Sequence, residues 1–108
     1  RDIERVGDIC ERNAWRMHAT AFAANPPLSY FKPETLAVID ECQRARKAGI
    51  GVWFTLDAGP NPVLLTTEGD ARRATELLLG AGAVEVVACL PSQGTELLEC
   101  DAIANGSW

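Results

Sequence analysis

Apolar residues return every three or four positions from the start of the chain, at Ile3, Val6, Cys10, Ala14, Met17, Ala21 and Ala24. That spacing lines one face of a helix and predicts one over about Asp2–Ala24, with Met17 in the core. Pro26 and Pro27 end it, because proline lacks the amide donor and its ring clashes with the preceding turn. The stretch from Asn25 to Lys32 reads as an irregular connector, with Tyr30 and Phe31 as a hydrophobic lid over the helix ends. Pro33 at a first helical position, followed by Glu34, opens a second helix. Its apolar stripe is Val38, Ile39, Cys42 and Ala45. Arg44, Arg46 and Lys47 complement the dipole at its C-terminal turns, and Gly49 stops it.

The period then changes. Val52–Leu56 is β-branched and aromatic and predicts a strand, with Val52, Phe54 and Leu56 on one face and Trp53, Thr55 and Asp57 on the other. Asp57-Ala58-Gly59-Pro60-Asn61-Pro62 is a dense turn signal. Val63–Thr66 returns across it as an antiparallel strand. A third helix is expected over Asp70–Leu79, with Ala71, Ala74, Leu78 and Ala81 on one side and Arg72, Arg73 and Glu76 on the other. Gly80 and Gly82 close it. Val84–Leu90 reads as a third strand and Glu96–Glu99 as a fourth. Strands gathered after helices predict an α+β sandwich, with helices packed on one face of an antiparallel sheet.

The chain has 108 residues, which fits one domain, taken as residues 1–101 with a patternless tail at 102–108. It opens on Arg1 inside a helical pattern and so reads as part of a longer protein. Fifteen acidic residues against 10 basic ones give a net charge of -5 with no basic run. Neither nucleic acid nor an anionic membrane is expected as a partner, since both need clustered Lys and Arg. No apolar run approaches the ~20 residues of a membrane span. Cys10, Cys42, Cys89 and Cys100 form no C-x-x-C pair and have one histidine to join them. No metal site is expected, and reduced, buried thiols in a cytoplasmic protein are the reading that remains. The glycines sit singly at turns and helix ends, so no phosphate loop of its own is expected either.

Three places could carry chemistry. Asp57 stands where a strand gives way to a small-residue turn. Its carboxylate can project as a general base or a positioner of a substrate hydroxyl, while Ala58 and Gly59 let a ligand approach the backbone. It can equally cap its own turn by accepting from a backbone amide two residues on. His18, on the flank of the first helix's apolar stripe, is either a satisfied core residue or, given a facing partner, a ligand-binding group. Arg16 could grip an anionic substrate, pair with Glu11 or Glu34, or face solvent.

Two stretches carry a family resemblance. Glu11-Arg12-Asn13-Ala14-Trp15-Arg16-Met17-His18-Ala19-Thr20, with Asn25-Pro26-Pro27 and Tyr30, resembles the long helix and connector of mevalonate diphosphate decarboxylases. Trp53-Phe54-Thr55-Leu56-Asp57-Ala58-Gly59-Pro60-Asn61 resembles that family's Y-F-T-x-D-A-G-P-N segment. The likeness covers about residues 4–66 closely and the remainder in outline. It implies the C-terminal, ferredoxin-like domain of a member of the galactokinase, homoserine kinase, mevalonate kinase and phosphomevalonate kinase superfamily. It also implies an N-terminal domain of the same polypeptide that binds ATP and Mg2+, a small phosphorylated substrate, and a homodimer. The implied reaction converts mevalonate 5-diphosphate to isopentenyl diphosphate with release of CO2, ADP and phosphate. Asp57 falls on the family's catalytic aspartate, and Ala58 and Gly59 beside it would line the substrate end of the cleft. Two alternatives share the sequence: a decarboxylase acting on mevalonate 5-phosphate, and a non-catalytic ferredoxin-like module.

Overall fold

The computed structural model describes residues 2–95. Helix α1 (Ile3–Phe22) starts where the Asp2 carboxylate accepts from the Arg5 amide at 3.0 Å. Helix α2 (Pro33–Lys47) follows the Pro26-Pro27 connector. Strand β1 (Val52–Thr55) pairs antiparallel with β2 (Val63–Thr66), Val52 opposite Thr66 and Thr55 opposite Val63. Helix α3 (Ala71–Gly80) is the last helix or strand among the described residues. Gly49 and Gly82, at φ +87° and +100°, take the chain through the left-handed region just past α2 and α3, where a Cβ would be strained. The α+β architecture therefore holds, with three helices packed against a two-stranded antiparallel sheet among the described residues.

The core gathers Ala14 of α1, Ile39, Cys42 and Ala45 of α2, Val52 and Phe54 of β1 and Ala74 of α3. Val52, Phe54 and Leu56 are all buried on one face, as the strand alternation predicts. Trp53, on the opposite face, is also buried, because α1 presents Gly7 there. A Cβ on Gly7 would lie 2.2 Å from the indole carbons, so the ring rests against bare helix backbone. The Asp8 carboxylate fixes that ring by accepting from its Nε1 at 3.1 Å.

The side of α1 that is buried differs from the expected one. Gly7, Ala14 and His18 are buried and Glu11 half-buried, while Val6 and Met17 are exposed. The reason lies in β1. Within a strand, alternate residues point their amide and carbonyl groups to opposite edges, and β2 takes one edge only. On the other edge, Glu11 accepts from the Phe54 amide at 3.1 Å, Arg46 donates to the Val52 carbonyl at 2.8 Å, and His18 meets the Leu56 carbonyl at 2.8 Å. A helix laid along an unpaired strand edge must bring polar side chains to it, since buried backbone groups left unpaired are costly. Glu11 also holds Arg46 through both carboxylate oxygens, one of them 2.8 Å from Nη2.

The third strand expected over residues 84–90 does not form. The segment makes no ladder, and Val84, Val87 and Leu90 are exposed. Strand propensity alone does not make a strand, which needs a partner, and among the described residues β1 and β2 pair only with each other. The expected strand over Glu96–Glu99 and the tail at 102–108 lie outside the described residues.

Candidate functional site

The turn after β1 is held at both ends by side chains from different helices. Before it, His18 Nε2 lies 2.8 Å from the Leu56 carbonyl. A carbonyl only accepts, so Nε2 carries the proton. After it, Thr35 Oγ1 donates to the Pro60 carbonyl at 2.6 Å and accepts from the Lys32 amide at 3.2 Å. Both anchors are buried, His18 completely and Thr35 at 2 % exposure. Between them run Asp57 and Ala58, which are exposed, and Gly59, which is half-buried.

Within the turn, the Gly59 amide donates to the Asp57 backbone carbonyl at 2.9 Å. The amide that a turn-capping carboxylate would need is therefore taken by backbone. Among the described residues the Asp57 carboxylate has no hydrogen-bond or ion-pair partner, so the strand end presents an uncommitted anion to solvent. A Cβ on Gly59 would meet nothing within 4 Å and its φ is not in the left-handed region. Space beside Asp57 is open on that side, and the fold itself makes no demand for glycine there.

An aromatic cluster supports the His18 anchor. Phe31 sits edge-on to the imidazole with centroids 4.9 Å apart, and Tyr30 does so at 6.0 Å. Phe31 also stacks on Trp15 at 5.8 Å, and Trp15 meets the edge of Phe54 at 5.5 Å. The connector thus closes over the end of α1, as its Tyr30-Phe31 pair suggests. Buried completely and engaged with a backbone carbonyl, His18 cannot reach a solvent-borne ligand directly. Arg16 is exposed and makes no ion pair among the described residues, since Glu11 is committed to Arg46. It lines a groove on α1 with Asp8, Glu11, Arg12, Trp15 and Ala19, a lining that does not include Asp57.

Thr35 holds the turn through the Pro60 carbonyl and Arg46 the strand edge through the Val52 carbonyl; sequence reasoning passed over the first and assigned the second differently. For Thr35, a hydroxyl in the first turn of α2 was the available signal. Arg46 was read as a dipole partner. Burial works against its charge, yet the hydrogen bond and field of Glu11 raise its pKa further above the ordinary arginine value. The thiols divide: Cys42 is buried, Cys10 half-buried and Cys89 exposed, which corrects the expectation of uniformly buried cysteines. Burial, aided by the charge of Glu11, pushes the Cys42 thiol up to about 12, and its Sγ lies 3.5 Å from the Val52 carbonyl. Among the described residues no three His, Cys, Asp or Glu side chains group as a metal site, and no helix is long and apolar enough to cross a membrane.

Residues 1–93 match the family described as the mevalonate 5-diphosphate decarboxylase C-terminal domain. Among solved structures, mevalonate diphosphate decarboxylase from Staphylococcus aureus is similar at 35% identity and a TM-score of 0.70, over 73% of this chain and 24% of that one. The Enterococcus faecalis enzyme, described with a mevalonate diphosphate mediated ATP binding mechanism, is 37% identical with a TM-score of 0.69, over 73% of this chain and 25% of that one. A complex of MDDEF with MVAPP, AMPPCP and magnesium matches at 37% identity and a TM-score of 0.70, over 73% of this chain and 24% of that one. The chain spans about a quarter of the length of these structures. No curated protein matches it significantly.

Proposed function

Because the chain belongs to the mevalonate 5-diphosphate decarboxylase family, as sequence of its C-terminal domain, we propose that it forms part of an ATP-dependent decarboxylase with Asp57 as the catalytic carboxylate. In this reading the intact enzyme phosphorylates the C3 hydroxyl of mevalonate 5-diphosphate. Loss of phosphate and CO2 then yields isopentenyl diphosphate, with ADP as the spent nucleotide. Asp57 accepts the hydroxyl hydrogen and aims the oxygen at the phosphoryl group, the work a positioned carboxylate performs as general base or orienter. The observation that carries the assignment is the exposed carboxylate at the end of a pinned strand, free of partners among the described residues. Open space beside Gly59 favours Ala58 and Gly59 as the lining of the substrate end.

ATP and magnesium enter with the relative seen with AMPPCP and magnesium. The described residues do not fit either group: they assemble no metal cluster and no glycine-rich phosphate loop. Both belong to the N-terminal domain of the same polypeptide in this reading. A cytoplasmic homodimer is part of the same proposal.

The test is ATP-dependent CO2 release by the intact enzyme, comparing mevalonate 5-diphosphate with mevalonate 5-phosphate. Release from the diphosphate is expected. Preference for the monophosphate would move the assignment to the phosphomevalonate decarboxylase. Release from neither by folded protein would return the chain to a non-catalytic module.

A further inference from the structure

The two buried polar side chains beside Asp57 are costly choices for a small core. An imidazole or hydroxyl taken from water must recover its hydrogen bonds inside, and an apolar residue of the same shape would avoid that cost. His18 recovers only one: Nε2 reaches the Leu56 carbonyl, while Nδ1 is buried with no partner among the described residues. Thr35 spends its one donor on the Pro60 carbonyl, 25 residues away, in place of its own helix. The two bonds flank Asp57, Ala58 and Gly59 and nothing else. One anchor comes from the C-terminal end of α1's buried face, the other from the first turn of α2, and among the described residues the loop between them is tied internally by the Gly59 amide alone.

We propose that His18 and Thr35 are positioning residues. As a two-point clamp on the backbone before and after Asp57, they set where its carboxylate sits; neither touches substrate. The proposal rests on the catalytic reading of Asp57 given above. A competing, merely structural role for His18 rests on the same hydrogen bond. It would be one more side chain, beside Glu11, Arg46 and Cys42, that satisfies the outer edge of β1. The two roles part at the kinetic readout. Edge satisfaction is lost as stability, whereas clamp loss lets the carboxylate wander and is lost as turnover. Displacement by about 1 Å of a group that must meet reacting atoms is worth up to about 10²-fold in rate.

The test is run in the intact enzyme with His18→Phe and His18→Gln, and with Thr35→Val and Thr35→Ser. Each is made alone and together with Asp57→Asn, and each is measured for kcat, for KM of the diphosphate substrate and for thermal stability. Glutamine places an amide donor near the position of Nε2, and serine keeps the hydroxyl. The expected result is a fall in kcat of about 10- to 100-fold for His18→Phe and Thr35→Val, with KM changed less than about threefold. His18→Gln and Thr35→Ser should recover to within about fivefold of wild type. In the Asp57→Asn background the clamp variants should cost nothing more, because residues acting through one group are not additive.

Melting temperatures that fall while kcat stays at the wild-type value would overturn the clamp, as would losses that multiply with that of Asp57→Asn. Should His18→Phe fail to fold, the Thr35 pair decides the matter alone. Full activity of Asp57→Asn would sink the catalytic reading and the clamp with it. An inactive Asp57→Asn beside a fully active Thr35→Val would sink the clamp alone.

Discussion

Gly7→Ala is the sharpest packing test of how α1 sits on the sheet. In an isolated helix the change is favourable by about 1 kcal/mol, because glycine gives up more backbone freedom than alanine. In this fold the added Cβ falls 2.2 Å from two carbons of the Trp53 ring and 2.6 Å from a third. Carbon atoms settle at about 3.5–4.0 Å, so the pair must separate by roughly 1.3 Å or more. The indole cannot swing away freely: it is 4 % exposed and its Nε1 is held by Asp8. α1 must therefore lift, and it carries Glu11, Ala14 and His18 with it. Overpacking of this kind costs about 1–3 kcal/mol, and a displacement beyond 1 Å against a fixed ring belongs at the upper end. Set against the helix gain, the net loss is about 2 kcal/mol. Urea denaturation followed by tryptophan fluorescence would show it as a lower midpoint at unchanged slope. Trp53→Leu in the same background should restore part of the loss, a coupling that a double-mutant cycle isolates. A midpoint that rises by the helix-propensity gain would mean that α1 does not rest on Trp53.

Four further outcomes follow from the same contacts. Glu11→Ala removes the partner of Arg46 and the acceptor for the Phe54 amide together, so a loss of about 3 kcal/mol in chemical denaturation is expected, with less than 1 kcal/mol contradicting the edge-cap description. Arg16→Ala should change stability by no more than about 0.5 kcal/mol in the same assay, since the side chain is exposed and unpaired among the described residues. Cys42 is protonated in the folded chain up to about 12, while in the unfolded chain it ionises from its ordinary value of 9.0. The native state then binds more protons across that window, so stability is unaffected below pH 9 and falls as pH rises from about 9 towards 12. Mass spectrometry after mild alkylation at neutral pH should find Cys89 modified and Cys42 protected, and early labelling of Cys42 would contradict its burial.

Much of the scaffold is legible from local chemistry. Pro26-Pro27, Pro33 and Gly49 bracket the helices because each acts on its own backbone, and the six-residue turn from Asp57 to Pro62 dictates the β1–β2 hairpin. What periodicity missed is the rotation of α1. Counting apolar positions discards glycine, glutamate and histidine, yet Gly7, Glu11 and His18 form the inward face. They face inward because their neighbour is a strand edge and an indole, which call for hydrogen-bonding groups and an absent side chain. That demand resides in β1, about 40 residues downstream, and no window along α1 contains it. Residues 84–90 fail in the opposite direction: strand propensity is local, but a strand is a pairing.

Asp57 was legible as a candidate from its place at a strand end, but how its turn is closed shows only in the geometry. The Gly59 amide is spent on backbone, and the carboxylate is left without a partner among the described residues. His18 and Thr35 were legible as residues and not as a pair, since the bonds that unite them span 38 and 25 positions.

The central claim is that this carboxylate does the chemistry. Its most direct test is Asp57→Asn in the intact enzyme, with CO2 release from mevalonate 5-diphosphate followed under saturating ATP and nucleotide affinity measured separately. The account predicts turnover reduced by about 10²–10⁴-fold with ATP affinity nearly unchanged. Turnover within about tenfold of wild type, in a variant shown to be folded, would contradict it.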